Sequence, residues 1–434
     1  MPNIPRMTPP TSRTYGWLVL GTLAFILYGS LVPFQVRVRP FSQVLDSFAG
    51  AMSSRVHFES RSDAFANVLL GIPLGFSLLA WSCVDRGSRR REFLHVLLFL
   101  PVCIAFSTFV EFLQLYVPSR TCAASDVLMQ AVGAALGMGA WIGLGQWFTG
   151  HARRLWAGPQ IGGSAGRMLV VYLVVLAAIQ VLPLDLTLSP KDIYKNLRDK
   201  VHYIPFSEFR GTHSWADFSG HVSSRIETLG LYLPVGLLAG CLPGRFWQSS
   251  ANALRILGLG VLLGLVMEGM QVLVMSRSPS NTDVLMGAAG VLAGWTLARR
   301  VLSRQLLLTA GIFWSVCLVV VYWHPFEFSS SLSKVEWLLL LPLEMRNPFR
   351  ALGDLLTKVV LIAPLGVLTA RLTRAFPLKQ RLALAAGVGF ALTVVIEAGQ
   401  LLLPTRTPSL TDVALGAVGA WCGAAATLRA RAQS

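Results

Sequence analysis

Long apolar runs separated by shorter polar connections extend over nearly the whole chain. Twelve of these runs approach the ~20 residues that a helix needs to cross a bilayer core. They lie near residues 15–34, 64–82, 93–116, 126–149, 167–187, 226–243, 254–275, 283–301, 305–325, 355–371, 381–403 and 411–428. Backbone groups in lipid must bond within their own segment, and the runs are continuous rather than alternating, so we expect helices and not a β-barrel. The pattern predicts an all-α polytopic membrane protein with about 12 transmembrane helices.

The composition excludes a soluble globular protein of this length. Of the 434 residues, 54% are hydrophobic and 13% are charged, whereas soluble domains carry about 25% charged residues. Six cysteines are scattered without a CxxC pair or a Cys/His cluster of metal-ligand spacing, so we expect no metal and no cofactor. His202, His213 and His221 share one connection, but their spacing fits no metal site, and we interpret them as solvated loop residues.

The net charge of +16 is distributed unevenly along the chain. Connections on the side of the N-terminus hold twenty basic residues and only two acidic ones, Asp85 and Glu92. Because cytoplasmic loops of membrane proteins carry the excess of Lys and Arg, both termini are predicted to be cytoplasmic. The basic excess is therefore an orientation signal, and we expect no nucleic-acid partner. The sequence leaves protein partners open.

One polar pattern occurs three times, where the third span of each set of four ends. The segments are EFLQLYVPSRTCAASD, EGMQVLVMSRSPSNTD and EAGQLLLPTRTPSLTD, and their polar positions superpose without a gap. These positions are Glu111, Gln114, Arg120 and Asp126, then Glu268, Gln271, Arg277 and Asp283, then Glu397, Gln400, Arg406 and Asp412. The pattern predicts three repeats, at residues 1–150, 151–302 and 303–434. Four spans is an even number, so the repeats are parallel and not inverted.

Small residues recur at fixed places in each repeat. A GxxxG motif follows each Asp, at Gly133 and Gly137, Gly290 and Gly294, and Gly419 and Gly423. A PxG motif lies in each second span, at Pro73 and Gly75, Pro234 and Gly236, and Pro364 and Gly366. We interpret the GxxxG glycines as sites of close helix packing and the PxG motif as a local kink.

The repeated unit resembles the VanZ-like family of bacterial membrane proteins. The resemblance depends on the PxG span, the helix ending in ExxQ, the short turn with Arg, the Asp that opens the next helix and the GxxxG motif, and three tandem copies cover nearly the whole chain. The family takes its name from a protein of low-level teicoplanin resistance. The resemblance therefore implies a multi-pass protein of the bacterial cytoplasmic membrane with a role in the cell envelope, and it implies no particular reaction.

The three repeats match the family pattern unevenly. Where the family commonly has Asn in the second span, repeat one has Asn67, and the aligned residues are Thr228 and Lys358. Where it often has Asn four residues after the Asp, this chain has Gln130, Gly287 and Gly416. Repeat one is therefore closest to the family pattern, and repeats two and three are expected to keep the scaffold with an altered pocket.

The repeated polar residues, together with Asn67, are the candidate functional site. Glu and Gln three residues apart lie on one helix face, and an ionised residue inside the membrane costs roughly 2.5–3.5 kcal/mol if it faces lipid. The Glu is therefore expected to face the bundle, protonated or paired. For the Arg and Asp, a structural role is an equal alternative. Ser125, Thr282 and Thr411 would be helix N-caps, and the Arg would bond the Asp and the last carbonyls of the preceding helix.

Three functions fit these residues. The leading hypothesis is that the protein binds or moves an anionic or lipid-linked envelope component at the outer leaflet, with an effect on glycopeptide susceptibility, so that its partner is a membrane lipid or a lipid-linked precursor. The first alternative is a membrane-embedded enzyme with Glu as acid or base and Arg as anion stabiliser. The second is a scaffold without catalysis, in which the polar residues only hold the helical hairpins together.

Overall fold

The computed structural model describes residues 9–31, 36–53, 61–85, 88–118, 120–157, 163–183, 185–187, 189–300, 302–329 and 348–431. The chain divides into two compact units. The first comprises Met1–Pro159 with Pro342–Pro348 and contains repeat one. The second comprises Gln160–Leu341 with Phe349–Ser434 and contains repeats two and three.

Among its described residues, the first unit contains six α-helices. They are α1 (Ser12–Leu31), α2 (Phe41–Ser53), α3 (Arg61–Cys83), α4 (Arg89–Gln114), α5 (Ala124–Ala140) and α6 (Gln146–Ala157). A π-helical turn at Trp141–Gly145 joins α5 to α6, so one helical segment continues through both. The four predicted spans of repeat one are α1, α3, α4 and the α5 to α6 segment, and α2 lies in the connection between the first two spans.

The described part of the second unit contains ten further α-helices. They are α7 (Gly163–Val181), α8 (Pro190–Asp199), α9 (Trp215–Ala239), α10 (Arg245–Gln248), α11 (Ala253–Gln271), α12 (Asn281–Arg299), α13 (Arg304–Trp323), α14 (Pro348–Leu372), α15 (Leu378–Gln400) and α16 (Leu410–Arg431). The four spans of repeat two are α7, α9, α11 and α12. Those of repeat three are α13, α14, α15 and α16.

The all-α class of a multi-pass membrane protein is confirmed. Within the described ranges the only β pairing consists of two isolated bridges, Leu186 with Val274 and His202 with Ser280. Ten helices there are long and apolar enough to cross a membrane. The other two predicted spans form the helices α9 and α12, which carry charged residues such as Arg225 and Asp283. The total of twelve spans therefore stays a prediction.

Buried apolar side chains form a cluster in each repeat. In repeat one, the rings of Tyr15 and Trp141 meet edge to face at 5.5 Å between centroids. The cluster of repeat two includes Val360 of α14, and the cluster of repeat three packs against Leu229 of α9. Repeats two and three therefore share part of their core.

The second and fourth spans of each repeat touch through their backbones. A Cβ atom added at Gly137 would overlap the carbonyl oxygen of Ile72, and one added at Gly75 would overlap the carbonyl oxygen of Ala134. The same overlap occurs at Gly294 and Gly236 in repeat two and at Gly423 and Gly366 in repeat three. The GxxxG glycines are thus confirmed as packing residues, and the Gly of the PxG motif serves the same contact from the other helix.

Candidate functional site

The repeated Glu joins the third span to the start of the fourth. Glu111, Glu268 and Glu397 are 1%, 7% and 8% exposed. Each accepts a hydrogen bond on Oε2 from the backbone N–H twelve residues later, at Ala123 (3.1 Å), Ser280 (2.8 Å) and Ser409 (2.8 Å). Backbone N–H groups at a helix start have no partner within the helix, and that end of the helix favours negative charge. The Glu therefore clamps the hairpin in all three repeats.

The helix N-caps differ from the predicted ones by two residues. The predicted caps Ser125, Thr282 and Thr411 lie within the first turns of α5, α12 and α16. The residues that precede these helices are Ala123, Ser280 and Ser409. Ser280 and Ser409 accept hydrogen bonds on Oγ from the N–H groups of Thr282 (3.1 Å) and Thr411 (3.2 Å). The predicted caps were wrong because the Asp is the third residue of each helix, so the residue directly before it already lies inside the first turn.

The repeated Arg binds the end of the first span. Arg120 donates to the carbonyl of Gly29 at 2.7 Å, and Arg406 donates to the carbonyl of His324 at 2.9 Å. Arg277 donates to the carbonyls of Ile179 (3.1 Å) and Leu182 (3.0 and 3.3 Å). The last carbonyls of a helix lack partners and attract positive charge. The Arg of each turn therefore satisfies the C-terminal end of the first span in its own repeat.

The repeated Asp bonds the second span in repeats two and three. Asp283 accepts hydrogen bonds from Thr228 (2.6 Å) and forms an ion pair with Arg225 (2.7 Å). Asp412 forms an ion pair with Lys358 at 2.6 Å. Thr228 and Lys358 occupy the position that holds Asn67 in repeat one. The charged partner of each of these Asp residues is thus a side chain of the second span. It is not the repeated Arg of the same hairpin.

Asn67 belongs to a chain of three polar side chains in repeat one. The Asn67 side-chain oxygen accepts a hydrogen bond from Gln130 Nε2 at 2.9 Å, and Gln130 Oε1 accepts one from the Ser107 hydroxyl at 2.8 Å. The chain links the second, fourth and third spans. The residue at this position of the second span contacts the fourth span in every repeat, although its chemistry changes from amide to hydroxyl to ammonium.

The repeated Gln contacts the first span in repeats two and three. Gln271 Nε2 donates to Gln180 Oε1 at 2.9 Å, and Gln400 Nε2 donates to the Tyr322 carbonyl at 3.2 Å. Gln180 and Tyr322 occupy equivalent places near the ends of α7 and α13. Gln114 is buried in repeat one at 7% exposure. The Gln thus adds a contact at the helix end that the Arg also binds.

The turn of repeat one holds two titratable groups that lie outside the spans. Burial lowers the pKa of Arg120, and the nearby Glu111 opposes this effect. Burial raises the pKa of the Cys122 thiol to about 12, and the neighbouring Glu111 and Asp126 add to this effect. Cys122 is therefore a neutral thiol near pH 7 and a poor nucleophile.

Repeat two contains a polar cavity of about 450 Å³ at the end of the bundle that is predicted to lie outside. Its lining includes all four repeated residues of this repeat, Glu268, Gln271, Arg277 and Asp283. The remaining lining residues are Gln180, His202, Glu208, His221, Ser224, Arg225, Glu227, Thr228, Leu231, Ser276, Ser278 and Ser280. All four spans of the repeat and the connection before α9 contribute. The four predicted residues are thus brought together around one space.

Arg225 is the central cation of this cavity. Its guanidinium lies 2.7 Å from Asp283 and 3.5 Å from Glu208. Glu208 belongs to the connection before α9, whose Phe206 N–H donates to the Thr282 hydroxyl at 2.8 Å. The connection is thereby held against the start of α12, next to the cavity.

A family comparison identifies the repeated unit. The family model described as VanZ/LLP1 matches three successive segments, residues 15–146, 169–306 and 303–431. The chain belongs to the VanZ/LLP1 family. The three matches confirm the tandem repeats of this family. No curated protein and no solved structure matches the chain.

The VanZ/LLP1 repeats differ in how they fill the space between their spans. Repeat one combines Gly71 with Gln130, whereas the aligned residues of repeat two are Tyr232 and Gly287, and a Cβ atom at Gly287 would lie 3.0 Å from the Tyr232 ring. In repeat three the space beside Gly416 is taken by Thr393 of the third span. The side chain that fills the space therefore comes from a different span in each repeat. Because Gly287 replaces Gln130, repeat two does not contain the polar chain of repeat one.

Several cavity residues escaped the sequence prediction. Arg225 and Glu227 stand outside the repeated pattern, so the repeat could not reveal them, although two charges beside an apolar run are a usable signal. His202 and His221 were interpreted as solvated loop residues. His202 is exposed as expected, but it lines the cavity. The loop assignment of His221 was wrong, because this residue belongs to α9, where it lines the cavity and packs against the Phe209 ring at 5.4 Å between centroids.

Proposed function

We propose that this VanZ/LLP1 membrane protein binds, or moves, the polar part of a lipid-linked component of the cell envelope at the outer leaflet, through the cavity of repeat two. The observation that carries the proposal is the cavity itself. It collects carboxylates, amides, hydroxyls, imidazoles and guanidinium groups from four helices of a membrane bundle. Ionisable groups at such depth are costly and usually mark a ligand or ion pathway.

The size of the cavity supports a ligand of small-molecule dimensions. Its volume of about 450 Å³ falls in the range of about 300–1,000 Å³ that is typical of ligand sites. A lipid-linked component could place its polar part there and leave its apolar chain in the surrounding bilayer. This arrangement agrees with the apolar outer surface of the neighbouring helix α11, where Leu262 and Leu265 are exposed.

Arg277 offers only a limited site to an anionic part of the ligand. Arg277 already uses Nε and Nη2 for the carbonyls at the end of α7. Within the described residues its Nη1 makes no hydrogen bond, so one nitrogen is available at the cavity. Binding a phosphate through two parallel bonds would require Arg277 to release those carbonyls. A ligand that depends mainly on hydroxyl and amine groups therefore fits better than one that depends on phosphate alone.

A scaffold role for the repeated residues is favoured by a separate observation. The Glu–N–H bond and the Arg–carbonyl bond occur in all three repeats, whether or not a cavity lies beside them. We propose that the repeated Glu and Arg maintain the hairpins throughout, and that ligand binding belongs to the residues particular to repeat two.

The test is to identify lipids that co-purify with the full chain by mass spectrometry. Thr228→Lys copies Lys358 of repeat three and places a long side chain at the cavity. His213→Lys adds the same charge at an exposed residue in the connection before α9 and serves as the control. We expect a lipid-linked component with the wild type and with His213→Lys, and its loss with Thr228→Lys. Equal retention by all three proteins would refute binding in the cavity.

A cellular measurement complements the purification. If binding affects envelope assembly, Thr228→Lys should change glycopeptide susceptibility to the level of a strain that lacks the protein. His213→Lys should preserve the wild-type level. Membrane abundance of each variant, measured by immunoblot, distinguishes a lost site from a lost protein.

A further inference from the structure

Glu227 is the one carboxylate of the cavity that lacks a direct partner. Asp283 and Glu208 lie beside Arg225, and Glu268 accepts the Ser280 N–H. In the part of the chain that the structure describes, no hydrogen bond or ion pair reaches Glu227, although its side chain lines the cavity. A carboxylate in such a place requires a counter-charge or a proton.

The surrounding charges do not supply that counter-charge at bonding distance. Four carboxylates line the cavity, Glu208, Glu227, Glu268 and Asp283, and the two guanidinium groups are those of Arg225 and Arg277. Arg225 is paired with two of the acids and Arg277 with backbone carbonyls. At longer range Glu227 interacts with Arg277, Arg406, Asp354 and Asp283, two positive and two negative groups. Carboxyl groups therefore outnumber guanidinium groups among the residues that line the cavity.

Repeat three differs from repeat two at second-span positions that line the cavity in repeat two. Its second span carries Lys358 where repeat two has Thr228, and the Lys358 ammonium lies 2.6 Å from Asp412. The residue aligned with Glu227 is Thr357, and in repeat one it is Ala66. Repeat three therefore holds an ammonium of its own between the second and fourth spans. Repeat two has the shorter Thr228 at this position, and Arg225 takes the place of the lysine as the partner of Asp283. Glu227 is then an additional acid without a counterpart in repeat three.

We infer that the cavity of repeat two binds a primary ammonium group of its ligand, with the Glu227 carboxylate as the partner. The inference rests on the proposed function and names the chemistry of the ligand. The ammonium could belong to the head group of an aminolipid or to an amino sugar of a lipid-linked glycan. In both, the N–H donors would meet Glu227 and the neighbouring hydroxyl and amide oxygens of Thr228 and Gln180.

Other cations and neutral ligands satisfy the site less well. A hydroxyl group supplies no positive charge to pair with the Glu227 carboxylate. A divalent metal ion usually requires several carboxylate or carbonyl ligands, and the described residues contain no group of three His, Cys, Asp or Glu side chains placed to hold one. A primary ammonium supplies one positive charge and three donors, which matches one unpaired carboxylate among polar oxygens.

The experiment measures lipid and sugar preference of the purified full chain. Native mass spectrometry compares phosphatidylethanolamine with phosphatidylcholine, which carries the same net charge but has no N–H on its nitrogen. A second arm compares glucosamine with glucose as stabilisers in thermal unfolding. We expect at least about a tenfold preference for the amine-bearing probe in one arm, as for a hydrogen bond between charged groups. Preference in the first arm identifies an aminolipid, and preference only in the second identifies an amino sugar.

Variants assign the preference to Glu227. Glu227→Gln should abolish it, whereas Glu327→Gln, which removes the same charge from an exposed residue outside the cavity, should preserve it. Glu227→Thr, which introduces the residue of repeat three, provides a second test if Glu227→Gln folds poorly. A wild-type protein without amine preference in either arm would overturn the inference, as would a preference that survives both Glu227 variants.

These outcomes are distinguishable from failure of the proposed function. If a lipid-linked component co-purifies and is lost with Thr228→Lys, but amine probes are not preferred, the cavity binds a ligand and the ammonium inference is wrong. If the co-purified lipid is also unaffected by Thr228→Lys, the proposed function fails as well.

Discussion

The repeated Glu makes the same bond in three places within different surroundings. Each accepts the N–H of the residue that precedes the fourth span. This bond explains why an acid is tolerated inside the membrane without a ligand. Of the three, only Glu268 lines the cavity of repeat two.

The hairpin clamp predicts different effects for two substitutions of Glu268. Glu268→Gln keeps an oxygen that can accept the Ser280 N–H, whereas Glu268→Ala leaves that buried N–H unsatisfied, at a cost of about 1–3 kcal/mol. We therefore expect Glu268→Ala to lower the thermal unfolding temperature in detergent clearly more than Glu268→Gln does. The Gln and Ala variants of Glu397, which does not line the cavity of repeat two, should show the same order. Equal loss in Gln and Ala variants would contradict the clamp.

Lys358 and Asp412 provide a second prediction at this scale. Both side chains are partly buried, and their charged atoms lie 2.6 Å apart. Lys358→Thr should destabilise the protein by about 1–3 kcal/mol because it leaves the Asp412 charge without its partner. The double variant with Asp412→Asn should be destabilised less than the sum of the single variants. Strict additivity in this double-mutant cycle, measured by thermal unfolding, would show that the pair is not coupled.

At the scale of elements, the hairpin of the third and fourth spans is the unit that is repeated most faithfully. Glu closes it, Arg ties its turn to the first span, and glycines press its fourth span against the second. The four helices of a repeat are thus connected at one end by polar bonds and along their length by backbone contact. We expect substitutions in either set to disturb the whole repeat.

Glycine substitutions in two helices of repeat two test the backbone contact. A Cβ atom at Gly294 would overlap the Leu233 carbonyl, whereas one at Gly258 of α11 would meet nothing within 4 Å. Gly294→Ala should therefore cost about 1–3 kcal/mol through forced separation of α9 and α12. Gly258→Ala is the matched control and should be neutral or slightly stabilising. Thermal unfolding in detergent measures both, and comparable losses would argue against close packing.

At the scale of the whole molecule, orientation is the property that can be tested most directly. The basic residues predict that both termini are cytoplasmic. Reporter fusions after Arg91 and after Arg300 should report the cytoplasm, and a fusion after Ser119, a residue outside the described ranges, should report the exterior. The reverse pattern would place the cavity of repeat two at the cytoplasmic side and would exclude a ligand of the outer leaflet.

The three repeats also specialise within one molecule. Repeat one keeps an uncharged chain of Ser107, Gln130 and Asn67. Repeat two has an ion pair and a cavity, and repeat three has Lys358 in the corresponding place. Such divergence is expected when a repeated scaffold retains its packing residues while the other positions vary.

The sequence by itself determined the helical membrane class, the three repeats, the family and the positions of the four repeated polar residues. Hydropathy and spacing are local or periodic properties, and a single chain displays them directly. The sequence also correctly assigned the GxxxG glycines to close packing, because small residues at that spacing have one common use between membrane helices.

Only the tertiary structure decided the partners of the polar residues and the place of the cavity. Arg277 donates to the Ile179 carbonyl, 98 residues earlier in the chain. Asp283 accepts a hydrogen bond from Thr228, which lies 55 residues earlier in another helix. No local pattern encodes which of several helix ends or acids a guanidinium will reach. Arg225 and Glu227 lie outside the repeated polar pattern, so periodicity could not identify them. The physical reason is that partner choice depends on how helices pack side by side, which is a property of the folded chain and not of any segment.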